Sequence, residues 1–205
     1  MPAAAAGLVP HAAHYSLTLA SALGGSGISS VRGDLAINWE GDCTGWTMNH
    51  LMTFDIAYQE NEPLRIRMEA TTWEAADSRQ YSFYVRTFVN GRESERTEGR
   101  AAIDANGGKA TFTAPAAKTI ALSPETMFPT HHTKRLLEAA RSAPRVVSAT
   151  VFDGLTNEGP MLVNAVIGKQ SVESGAEKAM PSELSGLAMW NVQLAYFGGN
   201  SPEAQ

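Results

Sequence analysis

A mainly β fold, a strongly curved antiparallel sheet with one helix on its concave side, is predicted for this 205-residue chain by three observations. Apolar and polar residues alternate with a period of two along most of its length, and Gly-rich or Asn-Gly turns interrupt the alternation at short, regular intervals. Only residues 128–144 change to a period near 3.6. Parallel neighbours would need a crossover of a dozen or more residues between strands, usually a helix, so the short turns imply a meander or an open barrel. A single domain spanning residues 1–205 is expected, with residues 1–10 as a flexible start.

Tyr15, Leu17 and Leu19 alternate with His14, Ser16 and Thr18, a strand wet on one face, and Ala22 to Ser30 is a Gly- and Ser-rich turn. Val31, Leu35, Ile37 and Trp39 mark a second strand that ends at Gly41-Asp42-Cys43. From Trp46 to Tyr58 the apolar residues Met48, Met52, Phe54 and Ile56, together with His50, share one parity, which predicts a long strand that must twist. Leu64, Ile66, Met68 and Ala70 oppose Arg65, Arg67 and Glu69, and Tyr81, Phe83 and Val85 lead to Asn90-Gly91, the signature of a tight type I′ hairpin. Glu93 to Arg100 is a solvated hairpin arm with interleaved charge signs, and Asn106-Gly107-Gly108 opens two short strands, around Ala110–Thr113 and Thr119–Leu122.

In the helical segment Thr130 is the expected N-cap, Leu136, Leu137 and Ala140 form the apolar stripe, Arg141 suits the dipole, and Pro144 ends the helix. A helix this short is marginal alone, so Leu136 and Leu137 are expected to be buried against a sheet. Val146–Phe152 and Met161–Ile167 then read as apolar strands, Ser171–Ser185 as a polar loop, and Ala188–Phe197 as the last strand before Gly198-Gly199.

The bulk numbers narrow function by exclusion. The net charge is -5 and the sequence pI about 5.5, without a basic cluster, which argues against nucleic acid as a partner. No window approaches the ~20 apolar residues of a membrane span. The start, Met1-Pro2 followed by Ala3 to Ala6, has neither a basic segment nor an apolar stretch, so no signal peptide is expected within this chain. Cys43 is the single cysteine, so no disulfide can close within the chain.

Candidate chemistry is sparse. His11 and His14 are three apart, a spacing that converges on a helix but not on a strand, and His131 and His132 are adjacent; no metal is expected. No serine lies in a Gly-x-Ser-x-Gly elbow, Gly24 to Gly27 lacks a dinucleotide fingerprint, and Asp153-Gly154 reads first as a turn. Neither an enzyme nor a cofactor is expected. Trp39, Trp46, Trp73 and Trp190 read chiefly as core, with part of that aromatic surface available to line a cavity.

Taken in order, Leu8-Val9-Pro10-His11, Gly25-Ser26-Gly27, Cys43 with Gly45-Trp46, Thr72-Trp73-Glu74, Phe128-Pro129-Thr130 with His132-Thr133, and Val151-Phe152-Asp153-Gly154 resemble the cell-envelope integrity EipB family of α-proteobacteria. The resemblance covers most of the chain. It implies a non-catalytic periplasmic protein folded as a single β-spiral, similar in outline to LolA and LolB, that maintains the envelope by binding an envelope component or a partner protein. The alternative it implies is a LolA/LolB-like carrier of a lipid or a lipoprotein acyl chain in an apolar cavity. Its motif positions are His11, Trp73, His132, Asp153 and Gly154, and the cavity-lining candidates are Trp39, Trp46, Trp190, Leu136 and Leu137. The family pattern also pairs a cysteine like Cys43 with one near the C-terminus, and this chain is expected to be shortened there.

Overall fold

Asn90 and Gly91 both take positive φ, 48° and 80°, the two left-handed residues that a type I′ turn requires. They join β5 (Gln80–Val89) to β6 (Arg92–Asp104), and the same hairpin plan recurs on either side. β1 (His11–Thr18), β2 (Ile28–Gly41), β3 (Gly45–Tyr58), β4 (Leu64–Ala75), β5, β6, β7 (Gly107–Ala114) and β8 (Lys118–Leu122) form one eight-stranded sheet in sequence order, every pair antiparallel. Its edges are β1 and β8, so the sheet is not closed into a barrel. Register shifts in the β2–β3, β5–β6 and β6–β7 pairs supply the extra twist that such a sheet needs in order to curve.

The computed structural model describes residues 8–142, 145–172, 184 and 186–198. They fall into two compact units, Met1–Pro124 with Asp153–Glu158, and Glu125–Phe152 with Gly159–Gln205. The second unit contains α1 (Pro129–Ser142) and a three-stranded antiparallel sheet in the order β11 (Ala188–Phe197), β10 (Met161–Val172), β9 (Val146–Val151). The mainly β class with one helix is as predicted, but there are two sheets rather than one. The chain leaves the first ladder after β8 to build α1, and β9 then takes β10 as its hydrogen-bonded neighbour.

The helix differs from its prediction in two respects. It starts two residues earlier than an N-cap at Thr130 implies, with Pro129 at the first helical position, where its fixed φ suits the helix and its missing N–H costs nothing. Thr130 is thus inside the first turn and buried rather than capping it, and the Thr133 hydroxyl donates to the Pro129 carbonyl at 2.9 Å. Leu136 and Ala140 pack on a cluster of Ala139, Val147, Ala165 and Ile167, joined by Trp190. Leu136 and Leu137 are both half-buried rather than buried, because the stripe is centred on Ala139, with Leu136 packed against the cluster and Leu137 flanking it. Just upstream, Met127 pairs with Val151 in a parallel bridge, and its N–H donates to the Thr150 carbonyl at 2.8 Å. Pro144, residues 173–183 of the predicted polar loop, residues 1–7 of the start and the stretch after Gly198 lie outside the described residues.

Candidate functional site

Because side chains alternate across a strand, the register of the eight-stranded sheet assembles one apolar face from all its strands. One row across that face runs His11, Trp39, Met48, Thr72, Phe83, Gly99, Phe112 from β1 to β7. Other rows place Leu35 beside Met52 and Met68, and Gly33 beside Phe54 and Ile66. The opposite face carries the charges. There Arg65 pairs with Asp55, Arg67 with Glu69, and Arg86 and Arg96 both with Glu93, while the Arg67 and Arg86 guanidinium groups lie 5.6 and 4.6 Å from the Phe88 ring centroid. The Arg65 guanidinium holds Asp55 below the usual carboxylate range, and Arg86 does the same for Glu93.

The apolar face is covered unevenly. Toward β5–β8 its residues are closed off: Tyr81, Phe83, Val85, Ala101, Ala110, Phe112 and Leu122 are all buried. Part of that cover is the segment Asp153–Glu158 of the same unit. The Tyr81 hydroxyl donates to the Asp153 carbonyl at 2.7 Å and also bonds the Thr72 side chain. Gly154 has φ 65° and lies against the Phe83 ring, where an added Cβ would stand 2.4 Å from the ring, so only glycine fits this place. Phe83 in turn meets Phe112 edge-on at 5.2 Å.

This arrangement joins two of the sequence motifs, since Thr72 and Glu74 of one and Asp153-Gly154 of the other converge on Tyr81 and Phe83. Glu74 is 1% exposed, opposite Tyr81 in the β4–β5 register. Burial pushes the Tyr81 phenol and the Asp153 carboxyl up from their ordinary values. The Asp153 carboxylate accepts the Leu155 N–H at 3.0 Å, the geometry of a turn residue.

Toward β2–β4 the same face is half-buried: Leu35, Ile37, Trp39, Trp46, Met48, His50, Met52, Phe54, Ile66 and Met68 all keep part of their surface. No charged side chain lies among them, and burial lowers the pKa of His50, which favours its neutral form. At one end of this region the Trp39 ring stands 5.8 Å from His11 and 6.0 Å, edge to face, from Trp46. His11 is exposed, and its Nδ1 is 2.8 Å from the Val9 carbonyl.

The remaining candidates are dispersed. Trp73 is half-buried on the charged face, its ring over Gly45 where a Cβ would come within 3.0 Å. Cys43 is exposed in the β2–β3 turn, where the Asp42 carboxylate accepts the Thr44 N–H at 2.7 Å, the Thr44 hydroxyl at 2.6 Å and the Gly45 N–H at 3.0 Å. His132 is buried in the first turn of α1, and burial lowers its pKa and that of His131. His14 faces Asp34 at 3.2 Å, and no three potential metal ligands cluster among the described residues. Of the five cavity-lining candidates, Trp39 and Trp46 belong to the first unit's apolar face, Leu136 and Trp190 to the second unit's core, and Leu137 to its margin. An open groove of about 660 Å³ at the other end of β2–β4 is lined by different residues, including Arg32, Asp55, Arg65 and Asn90. The half-covered face itself could be anticipated from the shared parity of residues 46–58; its burial gradient could not.

Comparison with known proteins extends these findings. A family model described as EipB-like matches residues 2–205. The chain is 30% identical over 198 residues to the cell envelope integrity protein EipB of Brucella abortus (strain 2308), covering 95% of this chain and 70% of that protein. A crystal structure of a β-barrel-like protein of a domain of unknown function from Brucella abortus matches with a TM-score of 0.89 at 28% identity, over 95% of this chain and 81% of that one.

Proposed function

This chain belongs to the EipB-like family, and from that premise we propose that it is a non-catalytic periplasmic protein of envelope maintenance that acts by binding an envelope component or a partner protein. The observation that supports a binding role is the half-buried apolar face of β2–β4, whose one charged side chain, Glu74, is buried at its end, set against a largely closed continuation of the same face on β5–β8. Apolar surface of that extent left partly open on a protein with a well-formed core is characteristic of a site for something else.

The carrier reading draws support from the composition of the face. Met48, Met52 and Met68 lie on it, and unbranched, polarisable methionine adapts to flexible apolar ligands. Among the described residues no helix is long and apolar enough to cross a membrane. The protein purified from its native envelope and analysed by mass spectrometry distinguishes the readings. Reproducible stoichiometric lipid supports the carrier, a stoichiometric protein without lipid supports partner binding, and neither, under conditions that preserve the fold, argues against both.

A further inference from the structure

The indole Nε1–H of Trp39 is buried and has no hydrogen-bond partner among the described residues. Buried donors in folded proteins almost always find an acceptor, because an unmet one loses its bond to water without replacement. Trp39 stands at one end of the half-covered face, in the row it shares with His11 and Met48. From Met48 to Ile56 this face extends eight residues along β3, roughly 27 Å at the rise of an antiparallel strand. Leu35, Ile37, Met52, Phe54, Ile66 and Met68 fill it.

We propose that the face binds a fatty acyl chain attached through an ester or amide, its carbonyl oxygen accepting the Trp39 Nε1–H and its hydrocarbon laid along β3 over Met48, Met52 and Phe54. This rests on the carrier reading above, and adds to it the chemistry of the ligand and the direction in which it lies. The supply of polar groups favours this occupant over an extended peptide. A peptide brings an N–H and a C=O at every residue, whereas the polar side chains that β2–β4 offer on this face are few, Trp39, Trp46, His50, Tyr58, Thr72 and Glu74, and Thr72 is engaged by Tyr81. An acyl ester brings one carbonyl for one unmet donor, and a neutral chain suits a face whose one charged side chain, Glu74, is buried at its end. His11 is exposed at the first position of an edge strand, with its ring 5.8 Å from that of Trp39.

The test is a ¹⁵N-indole NMR titration of the full chain with the methyl ester of a long-chain fatty acid and, separately, with an alkane of equal length. The Trp39 resonance is assigned by its loss in Trp39→Phe. The ester is expected to move the Trp39 N–H signal and the alkane to leave it in place. The ester should also bind about ten-fold more tightly, the factor supplied by one hydrogen bond near the upper end of its usual net range. Trp39→Phe should remove that preference while still binding both. Binding of neither probe overturns the carrier reading and this inference together. Equal binding of both with an unmoved Trp39 signal leaves the carrier reading intact and overturns the Trp39 assignment. Movement of that signal by an apolar peptide but not by the ester overturns the choice of an acyl ligand.

Discussion

The two halves of the eight-stranded sheet obey the same local rules and come to different ends. Both are antiparallel hairpins with apolar residues on one parity, and register carries a single row from Trp39 through Phe83 to Phe112. On β5–β8 the row is closed: Phe83 and Phe112 are 2% and 1% exposed, and the Asp153–Glu158 segment is fastened there by Tyr81. On β2–β4 it is half open and lined with methionines. The same alternating pattern thus serves as core in one half and as candidate binding surface in the other, and what separates them is what lies on top.

The largest expected effect tests that separation directly. Phe112→Ala should lower stability by about 3–5 kcal/mol, the usual cost of emptying a closed aromatic site. Phe54→Ala on the open half should cost clearly less, because part of its surface is already in contact with water. Urea denaturation of both variants measures the difference, and equal losses would erase the distinction between the halves.

Gly154→Ala should come next, at more than about 1 kcal/mol, since it combines a positive φ with a Cβ forced into the Phe83 ring. The same measurement made with a fluorescent acyl probe should show little change in binding by the open half. A loss of probe binding as large as the loss of stability would mean that the two halves act as one.

A smaller effect depends on pH. Burial raises the Asp153 carboxyl pKa in the folded state, so the folded protein holds this proton more tightly than the unfolded chain does. Stability contributed by the protonated form is present below the unfolded carboxylate pKa of about 4 and is lost as pH rises through the higher folded value. Relative to Asp153→Asn, the wild type should therefore gain stability as pH falls through that window. A flat difference between the two proteins, followed by thermal unfolding from pH 7 to pH 4, would place Asp153 in water and loosen the latch on the closed half.

The smallest effect is expected at Cys43, in the turn between β2 and β3. Its exposure predicts labelling by a thiol reagent in the folded protein, and Cys43→Ser should change stability by no more than about 0.5 kcal/mol. Failure of the native protein to label, with full labelling after unfolding, would show that this turn is covered.

Much of the architecture was legible in the chain itself. Alternation placed the first strands and apolar runs and turns the later ones, Asn90-Gly91 supplied its primed turn, and the single change of period located α1 to within two residues at each end, because these are local consequences of side-chain direction and of φ. The family motifs were equally legible, as was the shared parity of the apolar residues along Trp46–Tyr58. The division into two sheets was not, since periodicity says which face of a strand is apolar but not which strand will be its neighbour. Nor could spacing show that Thr72-Trp73-Glu74 and Asp153-Gly154 meet at Tyr81 and Phe83, contacts that join residues more than seventy positions apart. Trp39 reads in the sequence as one more core aromatic, and only the packing around it left its N–H without an acceptor among the described residues. The sequence determined the elements and their apolar faces; the tertiary structure decided which part of a continuous face was closed and which stayed half open, because burial depends on what the rest of the chain lays over each face.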